Sequence, residues 1–306
     1  MAFNTRKGRK QAFLVNVDGG FTKLYSFSFP PDTEYYCSCS LVFKDKMFIF
    51  GGEKEKRQIS QVAGCGLYRD GTLDFDFRRG ACTVFKSRVL LCFDFQNSKG
   101  RVCRVADSPT GSFSKIPDSH HHHYMINIAS NEGKSVVCFN SKSIIIYNSE
   151  SVIAVGNDGS LNYVEKAHSK AEMYSHSTSS WKMLTSYPYH NIIHTFQIIA
   201  HLDHFILFGG HTNKPGHASN SNLIAKFSPT MNQWKLMGTL KQARHGLGIV
   251  EVNTKFLVIG GSWDKLTEIC EKKSQTIECT SREPKTYEFL NYPAMIIVPS
   301  DFADKC

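Results

Sequence analysis

Long apolar runs are missing from this 306-residue chain. No window reaches about 18 consecutive apolar residues, which rules out an ordinary membrane-spanning helix. The opening residues, MAFNTRKGRKQAF, lack the apolar stretch of a secretory leader. No N-x-Ser/Thr acceptor occurs, so nothing marks the chain for N-glycosylation. Tryptophan numbers only 3, and no segment of useful length carries a helical apolar period, which argues against a helix bundle. As it stands, the chain is expected in the cytosol, or outside the cell if a leader precedes it.

A strong charge of one sign is missing too. The chain holds 36 Lys and Arg against 27 Asp and Glu, a net charge of +9. The one dense basic run, RKGRK at 6–10, falls in a segment read as a flexible tail, residues 1–10. Elsewhere acids interrupt the bases, as in EKEKR at 53–57. That pattern describes a soluble basic surface better than a nucleic-acid groove. Neither nucleic acid nor a membrane is expected as partner, and a monomer is expected.

Cysteine is abundant, at 10. Cys270 and Cys279 flank a short polar stretch that reads as a turn, and Cys92 and Cys103 are placed similarly. Each pair suits a cross-strand disulfide in an oxidising compartment or a reduced pair of core thiols, and the sequence leaves both open.

What the chain has most clearly is a repeated phrase. An apolar run rich in β-branched and aromatic residues ends in two glycines at Gly51–Gly52, Gly209–Gly210 and Gly260–Gly261. Such a run reads as a buried strand, and the glycines as a backbone needing positive φ or close approach. The last two pairs lie about 50 residues apart. A second phrase keeps the same period. Tyr174 and Phe227 each stand seven residues before a tryptophan, Trp181 and Trp234, across a polar turn. That spacing predicts a hairpin.

Strand, diglycine, variable loop, aromatic, spacer and Trp together resemble the kelch repeat of β-propellers. The match is specific over 188–290, good over 36–77 and degenerate between. The resemblance implies an all-β, six-bladed propeller over 11–300. The expected blades are 36–77, 78–117, 118–187, 188–236 and 237–290. The sixth combines 11–30 with 291–300, pairing the terminal strand near Ala294 with the hairpin at Ala12–Phe29. Residues 301–306 are read as a tail. The apolar segments at 143–166 are read as an insertion, and counting them as a blade gives a seven-bladed alternative. In the first unit, VAGCGLY and TLDFDF are expected as the third and fourth strands. Trp181 and Trp234 are expected to pack between blades.

Catalytic patterns are lacking. Four consecutive histidines, His120 to His123, cannot all face one ion from a strand, and read as a solvated loop. A galactose-oxidase-like copper site needs Tyr and His residues to converge, and no local motif selects a set. A copper oxidase or other carbohydrate-active enzyme is therefore the alternative. The favoured expectation is a non-catalytic module, without cofactor or metal, that binds a protein partner through loops on one face. The candidate contacts are Arg57, Arg79, Tyr189, His211, Lys214, Arg244 and Trp263, which suit an acidic segment. No BTB or BACK pattern accompanies them.

Overall fold

The computed structural model describes residues 2–6, 9–15, 21–24, 27–30, 38–52, 54–78, 80–94, 100–120, 127–129, 143–148, 151–156, 170–189, 196–201, 203–214, 217–261, 267–282, 294–295 and 302. Among them the chain is all-β, with 27 strands and no α-helix.

The strands fall into meanders in chain order. The first holds β1 (Ala2–Arg6), β2 (Arg9–Val15) and β3 (Phe21–Leu24). The second holds β4 (Cys39–Phe43), β5 (Lys46–Phe50), β6 (Gln58–Ala63) and β7 (Gly66–Thr72). β8 (Ala81–Phe85), β9 (Arg88–Cys92), β10 (Cys103–Ala106) and β11 (Ser114–Ile116) make the third. The fourth has five strands: β12 (Asn127–Ala129), β13 (Ser143–Asn148), β14 (Ser151–Gly156), β15 (Lys170–Ser175) and β16 (Ser180–Leu184). In the fifth, β17 (Gln197–His201) and β18 (His204–Phe208) are followed by a two-stranded ribbon, β19 (His211–Lys214) and β20 (His217–Asn220). β21 (Leu223–Ser228) and β22 (Gln233–Thr239) complete it. The sixth holds β23 (Gly248–Val252), β24 (Lys255–Ile259), β25 (Thr267–Lys273) and β26 (Thr276–Arg282). β27 (Ala294–Met295) joins the first meander, giving the order β27-β1-β2-β3. The fifth and sixth meet through a short parallel pairing of β22 with β26, where a Cβ on Gly238 would lie 2.2 Å from Ile277 O.

Burial follows strand position. The second strands β5, β18 and β24 are buried along nearly their whole length, as continuous apolar runs require. The last strands of their meanders, β16, β22 and β26, are largely exposed. Each meander packs on its neighbour. Ala12 and Phe27 share a core with Leu41, Phe50, Cys82 and Leu91. Leu90 and Phe93 share one with Tyr174 and Trp181, and Ala171 one with Phe205 and Phe227. Phe208 packs with Val258, and Phe13 with Leu257 and Ile259.

The diglycines dock one meander on the next. Gly51, Gly209 and Gly260 take φ of 61, 61 and 64°. The Gly52 N–H donates to Phe77 O and the Gly210 N–H to Arg244 O, both acceptors lying in the linker to the following meander. A Cβ on Gly51 would lie 1.7 Å from Phe77 O, and one on Gly209 2.6 Å from Arg244 O. Where the third meander lacks glycine, Phe93 adopts the same conformation, φ 64°, and its N–H donates to Val102 O as that of Gly51 does to Gln58 O.

Three sequence expectations need correction. Residues 2–6 are a strand, not a tail: Ala2 and Phe3 pair with Met295 and Ala294, so the terminal strand meets β1 and not the Ala12–Phe29 hairpin. The segments at 143–156 are no insertion, because β13 and β14 lie inside the fourth sheet between β12 and β15, which also removes the reason for a separate seventh unit. In the second meander the third and fourth strands come earlier, as β6 and β7. Gly64, at φ 51°, makes the turn between them, and Asp70 and Gly71 sit inside β7 opposite an irregular step at Ile59. The TLDFDF segment then serves as the linker whose Phe77 O meets Gly52.

Candidate functional site

Arg244 sets the character of the end of the molecule where the diglycines lie. It is fully buried. Its Nη2 donates to Glu268 Oε1 at 2.6 Å and its Nη1 to Gly260 O at 3.0 Å. Glu268, also fully buried, accepts the backbone N–H groups of Lys241 and Gln242 at 2.7 and 3.1 Å. An interior charge is tolerable only when paired and hydrogen-bonded in this way. Arg244 therefore holds the linker before β23 against the diglycine after β24, and its expected role as a partner contact is overturned.

The residues before and after the β19–β20 ribbon build a second device. Asn220 Oδ1 accepts from Nδ1 of His245 at 2.7 Å and of His211 at 3.2 Å. An amide oxygen only accepts, so each imidazole carries its proton on Nδ1. The rings pack edge to face, 4.9 Å between centroids. Burial, with His211 beside it, pushes the His245 pKa down to about 4, so the ring is neutral at pH 7. The ribbon thus rises from a fixed base: glycines 209–210 at one end, and the His211–Asn220–His245 clasp across its root.

The other expected contacts divide. Arg57 is exposed and engages Asp76 through Nε at 2.6 Å. Tyr189 packs edge to face on Tyr187 at 5.4 Å, and Tyr187 on Trp234 at 5.1 Å. Burial, with Tyr189 nearby, raises the Tyr187 pKa beyond its ordinary range. Lys214 lies on β19, in the ribbon. Arg79 and Trp263 lie outside the described residues, as do His121 to His123. His120 is structural: its N–H donates to Glu172 Oε2 and its Nε2–H to Trp181 O, each at 2.9 Å.

Trp181 and Trp234 stand opposite Tyr174 and Phe227 in register. Each indole N–H donates at 2.9 Å to a linker carbonyl, Pro117 O or Thr185 O. In the sixth meander the equivalent opposed positions are Cys270 and Cys279, joined by a disulfide. Cys92 is likewise bonded to Cys103. Cys39–Cys82 links the second meander to the third, and Cys65 is disulfide-bonded as well. Glu268, Cys270 and Cys279 are the one group of three potential metal ligands gathered among the described residues. Their sulfurs are joined to each other and the carboxylate is held by Arg244, so the group offers no thiolate to an ion.

Sequence reasoning missed Asn220 and Glu268. Asn220 gave no local signal. Glu268 did: a lone acid inside the apolar strand LTEIC must find a buried partner, and Glu172 in KAEMY poses the same demand.

No protein family matches the chain by sequence, and no curated protein does. Among solved structures it is similar to that of YjhT, with a TM-score of 0.64 at 11% identity, over 91% of this chain and 90% of that one. A likeness at that identity concerns the fold alone.

Proposed function

We propose that this chain is a six-bladed, kelch-type β-propeller acting as a non-catalytic platform that binds a protein partner through the loops at its diglycine end. The reading of a ring rests on packing in sequence: each meander shares a core with the next, and Phe13 returns the sixth to the first. β27 completes the first blade from the far end of the chain. The three diglycines occupy equivalent positions, as the kelch resemblance implies.

The observation that carries the functional reading is the β19–β20 ribbon on its rigid base. Binding loops work best when a scaffold holds their roots and leaves their tips to vary. Here glycine docking, the Arg244–Glu268 pair and the histidine clasp hold the root, while Lys214 sits in the ribbon. With net charge +9, an acidic partner segment is the complement.

The test is affinity capture with the wild-type chain beside a variant carrying Lys214→Glu, Arg57→Glu and Trp263→Ala. A partner retained by the wild type, lost by the variant and weakened by salt supports the reading. Equal capture by both moves the site to the opposite face. One tightly held copper per chain together with oxidase turnover would replace the platform with the enzyme alternative.

A further inference from the structure

A second histidine pair lies at the other end of the strands, away from the diglycines. His201 closes β17 and His204 opens β18, and the two stand directly opposite in register. Cross-strand partners keep their Cβ atoms within about 4.5–5.5 Å. Their Nδ1 atoms diverge to separate carboxylates. His201 Nδ1–H donates to Glu251 Oε1 at 2.8 Å, and His204 Nδ1–H to Asp203 Oδ1 at 2.9 Å. An ionised carboxylate only accepts, so each Nδ1 carries a proton, and in the neutral ring Nε2 is the nitrogen left with a lone pair. Metal-ligating histidines are supported in this way: one nitrogen donates to a carboxylate and the other faces the ion. His204 is 3% exposed, and its Nε2 makes no hydrogen bond. A buried acceptor in that state is a standing cost that a bound cation would remove.

We propose that His201 and His204 form a two-imidazole chelate for a divalent first-row transition ion, zinc or its neighbours copper and nickel, with Glu251 and Asp203 orienting the ligands. The separation of the rings suits it. With a metal–nitrogen bond of about 2.0–2.1 Å and about 1.1 Å from nitrogen to ring centre, each centroid sits about 3.2 Å from the ion. At a tetrahedral angle the two centroids then lie about 5.2 Å apart. The observed separation is 5.2 Å. Water completes the coordination from the side of His201, the more exposed of the two. Asp203 and Glu251 offset the cation's charge, against Lys226 and Lys272, which also act on His204. The first histidine pair lacks this arrangement. Both Nδ1 atoms of His211 and His245 converge on one neutral amide oxygen, so neither ring is oriented by a carboxylate of its own.

The site goes beyond the platform reading and stands or falls separately from it. Zinc and nickel titrations by calorimetry at pH 7.5, after chelator treatment, test it. The parent for these titrations carries His121, His122 and His123 changed to Gln, which removes adventitious binding by that tract. One ion per chain is expected. His201→Gln should weaken it at least tenfold, while His211→Gln leaves it unchanged. Judging on His201, the more exposed ligand, avoids relying on a substitution of the interior His204. Added zinc should also slow amide exchange at residues 203–208 in the parent and not in His201→Gln. No ion bound by the parent, or equal binding by His201→Gln, overturns the proposal.

Discussion

At the scale of single residues, the diglycine and the buried ion pair dominate. Gly209 combines positive φ with an Arg244 carbonyl where its Cβ would stand. Gly209→Val should lower stability by at least about 3 kcal/mol, read as a shift of the denaturation midpoint at unchanged slope. An unshifted midpoint would mean the docking is unimportant. Glu268→Gln leaves the Arg244 guanidinium buried without its counter-charge, a loss of about 3–5 kcal/mol. Arg244→Met with Glu268→Leu should cost less than the two single changes added together, and strict additivity would deny that they act as a pair. His245 makes stability depend on pH. Its folded pKa, about 4, lies below the ordinary histidine value of 6.5, so the unfolded chain binds more protons between those values. Its contribution is full above about pH 6.5 and is lost as the pH falls toward 4. Solvent screening of this part-buried ring keeps the effect below the full shift. Melting temperatures between pH 7 and pH 4 should fall less steeply in His245→Gln than in the wild type, and parallel curves would contradict the assignment.

At the scale of elements, meanders solve one packing problem by different chemistry. Tyr174–Trp181 and Phe227–Trp234 oppose large rings across the last two strands of their meanders, and the sixth meander puts a disulfide there instead. Phe93 keeps the backbone of a diglycine without the glycine, at the strain of a bulky residue with positive φ. The Cys39–Cys82 bond differs in joining two meanders across a 43-residue separation. Replacing both cysteines by serine should cost about 2–4 kcal/mol in a non-reducing melt. A change well under that would assign the bond no part in holding the second and third meanders together.

At the scale of the whole molecule, the first sheet is assembled from both ends of the chain. Because β1 lies between β27 and β2, deleting residues 1–6 should be as harmful as deleting 292–306. Each deletion exposes a strand edge, and unpaired edges promote association between chains. Size-exclusion profiles of the two truncations should show aggregates in both. A well-behaved monomer from the first deletion would restore the tail reading that the basic run at 6–10 had suggested.

The apolar runs before Gly51, Gly209 and Gly260, the polar turns before Trp181 and Trp234, and the facing positions of Cys270 and Cys279 are local patterns. The sequence determined them because strand period, turn chemistry and glycine's freedom act over a few residues. Local too, though unread, was the demand for a partner that Glu172 and Glu268 make from inside apolar strands. What pairs with what across the chain is another matter. Strand β1 looked like a tail because the basic run at 6–10 hid its local pairing with β2, and its second partner, β27, lies almost the whole chain away. The strands at 143–156 looked like an insertion because their place beside β15 is set by pairing, not by composition. Arg244 read as a surface cation because its burial depends on Glu268, a residue of β25 well beyond its own linker. The two histidine pairs are indistinguishable by residue type. Only the tertiary structure decided that one converges on a single amide and the other diverges to two carboxylates, since the direction of each Nδ1 follows from the neighbours that folding supplies.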